Sequence, residues 1–224
     1  LMSNKIVWSY SSLGLFQQCP KKYYHLRVAK DVKEPETEHL LYGKRVHEAA
    51  EFYIRNNTPI PPEFDFIKPH LDKLKALGDA HLCEYKMGLT RDLQPCDFFS
   101  PDVWWRGIAD LIVIKGEIAY LVDYKTGKSS KYADTKQLEI LSLAIFKHFP
   151  AVKKVRAGLL FVVANDFVRA QYDTSALETY WVKWMSEVGL LEAAYKNNVW
   201  NAKPNFSCRQ YCAVIECPHN GKNS

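Results

Sequence analysis

The chain has 224 residues, 47% of them apolar and 25% charged, with a formal net charge of +5. That length can bury a full core, and that composition excludes a disordered or low-complexity chain. No apolar run approaches the ~20 residues that a membrane helix needs, and the start is polar, without an apolar signal segment, so a cytoplasmic protein that does not engage a membrane is expected. The charge is mildly basic, which suits a polyanionic partner without requiring one. Six cysteines in such a chain point to free thiols or metal ligands more than to disulfides.

Near the start, a polar SYSS cluster offers Ser11 or Ser12 as N-cap of a short helix running to Gln18. Cys19-Pro20 stops it. Lys21, Lys22, Tyr23 and Tyr24 follow, and they read either as a solvated face with buried tyrosines or as a surface for phosphates and bases. After a charged linker broken by Pro35, a helix is predicted from Glu38 to Asn56. Gly43, His47 and Glu51 recur every fourth residue on one stripe of it, and Ala50 and Ile54 flank that stripe, so it faces the protein. Residues 57–65 form a proline-rich loop. Residues 66–87 are predicted to be helical, with Ile67, Leu71, Leu74, Leu77 and Leu82 on one side. One strand and a loop are expected in 88–105, ending at Trp104-Trp105.

Residues 108–114 and 118–124 are rich in β-branched and aromatic side chains and form a predicted hairpin with its turn at Lys115-Gly116. That register sets position 110 opposite 121 and 108 opposite 123. Asp110, Asp123 and Lys125 then share one face, with the two acids as diagonal neighbours roughly 7–8 Å apart. Both faces of the hairpin are otherwise apolar, so it is expected to be covered. Charged groups there are costly unless paired or bound to metal.

Beyond the hairpin, Lys128, Lys131 and Lys136 surround a loop. Asp134 or Thr135 can cap a helix over 136–149, and Gln137 lies near its N-terminus, where free N–H groups favour an anion. Strands are predicted over 155–164 and 167–172. A long helix capped by Thr174 or Ser175 then runs to about Lys196. The tail carries Cys208, Cys212 and Cys217, and three thiolates need a fourth ligand. Cys19 would give a four-thiolate site suited to an iron–sulfur cluster; His219 would give a zinc knuckle. Cys83 and Cys96 read as ordinary buried thiols.

Gly107-Ile108-Ala109-Asp110 followed across a hairpin by Asp123-Tyr124-Lys125-Thr126-Gly127 resembles the core of the PD-(D/E)XK nuclease superfamily. The resemblance is greatest to its RecB-like exonuclease branch, which includes CRISPR-associated adaptation nucleases and small phage exonucleases. Gly43, His47 and Glu51 match that branch's helix motif, whose histidine is a metal ligand. Gln137 matches its glutamine, although Leu141 stands where the branch has tyrosine. The tail resembles that of its iron–sulfur members, with Cys-x3-Cys-x4-Cys in place of Cys-x2-Cys-x5-Cys.

The resemblance implies an α/β fold, a mixed central β-sheet with helices on both faces. It implies a single nuclease domain in which residues 1–30 and 200–224 form a cysteine-ligated accessory region. It implies a metal-dependent DNA exonuclease of phage or bacterial recombination, replication or repair. Asp110, Asp123, Lys125 and Gln137 would be catalytic. His47, Asp110, Asp123, the Tyr124 carbonyl and Glu51 would hold Mg²⁺ or Mn²⁺. Cys19, Cys208, Cys212 and Cys217 would hold a [4Fe-4S] cluster, with zinc as the alternative. Lys21, Lys22, Tyr23, Lys128, Lys131 and Lys136 would follow the DNA. A non-catalytic DNA-binding protein or a partner subunit of a nuclease complex is the alternative, and a homo-oligomer or a partner recombination protein stays open.

Overall fold

The computed structural model describes residues 6–78 and 80–223. In chain order its elements are helices α1 (Tyr10–Gln18), α2 (Pro20–Tyr23), α3 (Glu38–Asn56) and α4 (Lys68–Lys75), strands β1 (Ala80–Leu89), β2 (Pro95–Cys96), β3 (Trp105–Lys115) and β4 (Ile118–Lys125), helix α5 (Lys136–His148), strands β5 (Lys154–Phe161) and β6 (Asp166–Asp173), and helix α6 (Leu177–Asn197). Among the described residues, no helix is long and apolar enough to cross a membrane. The chain divides into two compact units, residues 37–179 and residues 1–36 with 180–224.

The 37–179 unit is built on one sheet of strand order β2-β1-β3-β4-β5-β6. Neighbours are antiparallel except β4 and β5, which run parallel. A parallel pair needs a long crossover, and α5 supplies it. On one face Leu111, Val113, Val122, Tyr124 and Leu160 pack with Val46, Ala50 and Ile54 of α3 and with Leu71 and Leu74 of α4. The alternate side chains, Ile112, Leu121, Asp123 and Leu159, turn to the other face, where every residue of α5 from 138 to 146 is buried. This is the expected mixed sheet with helices on both faces, and double coverage explains the near-continuous apolar runs of β4 and β5.

Two predicted elements differ. The helix expected over 66–87 ends at Lys75, and Ala80–Leu89 is a strand instead. After Gly78 the chain lies along β3 from the pair Ala80↔Ile114 to the pair Leu89↔Trp105. Those partners outweigh the helical spacing of Leu74, Leu77 and Leu82, because strand preference is set largely by cross-strand neighbours. The hairpin register also shifts. Lys115 pairs with Ile118 and Leu111 with Val122, so the turn is Gly116-Glu117 rather than Lys115-Gly116. Gly116 sits at φ +57, the positive angle that a two-residue hairpin turn requires at its first central position.

In the other unit, α1 starts two or three residues earlier than expected. Ser9 is its N-cap, in a capping box with Ser12. Trp8 stacks on Trp184 of α6 at 6.0 Å. The buried residues Trp181, Trp184, Val188 and Leu191 mark one stripe of α6, as their spacing predicts.

Candidate active site

The first cluster forms where β3 and β4 part. Their last bonded pair is Leu111↔Val122, and the same register sets Asp110 directly across from Asp123, not diagonally. A side chain takes over from the ladder at this point: Tyr124 N–H donates to Asp110 Oδ2 at 2.7 Å. Helix α3, capped by Thr37, carries His47 to the same place. His47 Nε2–H donates to the Tyr124 carbonyl at 2.9 Å, and Nδ1 stands 3.4 Å from Asp110 Oδ2. Burial alone would lower the His47 pKa. The hydrogen bond and charge of Asp110, aided by Asp123 and the Tyr124 carbonyl, outweigh it and raise the pKa to about 9.

Asp123 is only 3% exposed. Its Oδ2 forms an ion pair with Lys125 Nζ at 2.7 Å. Burial pushes its carboxyl above the usual range and Asp110 adds to the rise, while Lys125 pulls it back. Lys125 Nζ also donates to Gln137 Oε1 at 2.9 Å. Gln137 is in the first turn of α5, so the crossover helix fixes the lysine that β4 presents.

Glu84 belongs to this site and was invisible in the sequence, where it falls inside the predicted helix. The pairs Cys83↔Leu111 and Tyr85↔Ala109 flank it and set it across from Asp110. Its φ is +49, rare for a long side chain. The strand changes face here. Cys83 joins the core under α3, whereas the Tyr85 ring meets His148 and Phe149 at the end of α5. Arg55 Nη2 donates to the Cys83 carbonyl at 2.6 Å and its Nη1 pairs with Glu51 at 2.6 Å. Burial, and then repulsion from Asp110, raises the Glu84 pKa to about 7. Read as a strand, 80–89 would have shown an acid in line with Asp110; read as a helix, it could not.

One ligand atom from each of His47, Glu84 and Asp110 lies within 4.8 Å of the others, the one such set among the described residues. Asp123 stands beside this set, and Glu51 is outside it, engaged by Arg55. One imidazole with carboxylate oxygens is a donor set for a divalent cation. The raised pKa values of His47 and Glu84, each lifted by the charge of Asp110, mark a place rich in negative charge, so the residues fit such an ion.

The second cluster lies in the other unit. One pocket is lined by Cys19, Cys208, Cys212, Cys217 and His219. Backbone N–H groups donate to two of the sulfurs, Lys203 to Cys19 Sγ and Asn205 to Cys208 Sγ, both at 3.4 Å. Asn220 Nδ2 holds the Cys212 and Val214 carbonyls. Among the described residues no three of the thiols come within 4.8 Å of one another. Thiolates with an imidazole at the same pocket are donors for a soft metal centre. Cys83 is buried as expected, and Cys96 is half-buried.

The residues expected to follow DNA are placed unevenly. Lys128 and Lys131 are exposed in the loop after β4, and Lys136 is half-buried. Lys21 and Lys22 line the cysteine pocket, where Lys22 pairs with Glu34 at 2.5 Å. Tyr23 is a correction: it is 2% exposed, stacked on Trp200 and hydrogen-bonded to Tyr195. Its ring serves the core and is closed to a base.

A model of the PD-(D/E)XK nuclease superfamily matches residues 7–86 and 73–217. No curated relative matches the sequence. Among solved structures, a candidate exonuclease from Eubacterium rectale is similar at a TM-score of 0.50 and 12% identity, over 99% of this chain and 90% of that one. The protein SSO0001 is similar at a TM-score of 0.45 and 12% identity, over 98% of this chain and 90% of that one.

Proposed function

The chain belongs to the PD-(D/E)XK nuclease superfamily, and on that premise we propose that it is a metal-dependent DNA exonuclease of the RecB-like branch, serving recombination, replication or repair. The observation that carries this is the gathering of His47, Asp110, Asp123, Lys125 and Gln137, from four elements, at the parting of β3 and β4. The exonuclease activity and the branch rest on the motifs around Gly107, His47 and Gln137.

His47, Glu84 and Asp110, with Asp123 beside them, would hold a Mg²⁺ or Mn²⁺ ion, which would supply positive charge to the scissile phosphate and make nearby water more acidic. The chain's own groups do the rest. Lys125 Nζ sits between Asp123 Oδ2 and Gln137 Oε1, and an ammonium has three donors, so one remains for the phosphate. It stabilises the negative charge that builds as the P–O bond breaks. Gln137 keeps that donor in place. Asp110 holds the strand parting through Tyr124 N–H, and His47 gives up its extra proton to act as a ligand. Lys21, Lys22, Lys128, Lys131 and Lys136 neutralise phosphates along the DNA, so binding weakens with salt.

Cys19, Cys208, Cys212 and Cys217 would hold a [4Fe-4S] cluster, which would staple the first and last segments of their unit. Support comes from the shared pocket and the two N–H···S bonds. A cluster bound this way contributes to folding.

The test uses anaerobically purified protein, end-labelled single- and double-stranded DNA, and Mn²⁺, beside Asp123→Ala. Terminal nucleotides should be released only with metal and with Asp123 present. Cutting of closed circular DNA would overturn the exonuclease assignment, and no cleavage of any DNA would overturn the activity altogether. A visible charge-transfer band and iron by analysis are expected of the purified protein; zinc without iron would replace the cluster.

A further inference from the structure

We infer that Phe98 and Phe99, with Lys86 and Arg106, form a stacking platform that receives an unpaired base of single-stranded DNA beside the metal site. This rests on the nuclease function proposed above. Phe99 is 75% exposed and meets Phe98 edge to face at 4.9 Å. The Lys86 ammonium lies 5.9 Å from the Phe98 centroid and 5.7 Å from that of Phe99, and the Arg106 guanidinium lies 5.0 Å from Phe98. Of the charged groups of this region, it is cations that sit on the rings.

The sheet leads from the metal site to this platform. Lys86 pairs with Ile108, and Arg106 with Gly88. Ile108, between Arg106 and Asp110 on β3, is 38% exposed. Asp110 is four residue steps from Arg106, roughly 13 Å of extended strand. A chain with a phosphate at the metal would therefore run past an exposed apolar side chain, then cations, then open rings. Cations interleaved with aromatic faces match a polyanion whose bases have free π-faces. Duplex bases are already stacked, so the platform selects a single strand.

The experiment uses the full chain in EDTA, with a short single-stranded oligonucleotide carrying 2-aminopurine, and the variants Phe99→Ala and Phe99→Trp. Phe99 is exposed enough for both to fold. Wild type and Phe99→Trp should quench the 2-aminopurine on binding. Phe99→Ala should lose the quench and bind about tenfold more weakly, as stacking on an aromatic predicts, with duplex binding unchanged. If Phe99→Ala binds and quenches like wild type while wild type cleaves and Asp123→Ala does not, the nuclease stands and the platform falls. If Phe99→Ala alters only the sedimentation of DNA-free protein, the rings are a contact between protein copies and the platform is overturned. A wild type that cleaves no DNA overturns both.

Discussion

Glu84 at φ +49 in mid-strand holds a conformation that costs an L-residue about 1–2 kcal/mol. It places a carboxylate beside His47 and Asp110. Two substitutions separate ligand from strain. Glu84→Gln should weaken Mn²⁺ binding at least tenfold by calorimetry. Glu84→Gly should weaken it as much, yet stabilise the metal-free protein by about 1 kcal/mol because glycine accepts the angle; denaturant midpoints equal for the two variants would show that the angle carries no strain. Lys125 should separate the other way. Lys125→Ala should cut the cleavage rate about 10²–10³-fold, as loss of one placed donor does, while leaving Mn²⁺ affinity near wild type. A matching fall in metal affinity would mean that the lysine organises the site rather than the phosphate.

Among the elements, β5 and β6 meet where Gly158 pairs with Arg169. A Cβ on Gly158 would stand 2.1 Å from the Phe167 ring, so the ring occupies the space that a side chain would need. Gly158→Ala should destabilise the protein by about 1–3 kcal/mol, the usual cost of overpacking. Phe167→Ala in the same chain should recover part of that, a coupling that a double-mutant cycle in urea measures. The elements also show what local pattern reveals. The α3 stripe, the strands around Gly116 and α5 follow from short-range periodicity, and they came out as predicted except for the turn and register of the hairpin. The strand 80–89 did not, because its nearest signal was the helical spacing of Leu71, Leu74 and Leu77, while its true partners lie further on, in β3, from Trp105 to Ile114.

For the whole molecule, the site links metal, protons and stability. The His47 pKa rises from 6.5 to about 9 and that of Glu84 from 4.5 to about 7, and Asp123 is pushed up as well. In each case the metal-free folded protein holds its proton more tightly than the unfolded chain does. Their stabilisation is therefore complete below the unfolded pKa values and is lost as the pH rises, first through about 7 and then through about 9. A divalent ion replaces those protons, so its own stabilisation should grow with pH. The Tm gain from Mn²⁺ over EDTA should be small near about pH 5 and large near about pH 8.5. A gain that is flat with pH would show that ion and protons do not compete, and Glu84→Gln should reduce the slope.

Chemistry and periodicity were written in the chain. Asp110, Asp123 and Lys125 stood out as charges in apolar runs, His47 as a histidine on a buried stripe, and the cysteines by their spacing. Such signals are local, since a side chain's polarity and its step of two or 3.6 residues need no knowledge of the rest of the fold. The three-dimensional arrangement alone fixed the facing of Asp110 and Asp123, the entry of Glu84, the hold of Gln137 on Lys125 and the burial of Tyr23. Each depends on strand register, a left-handed backbone angle or a partner far along the chain, and those are set by which surfaces pack together.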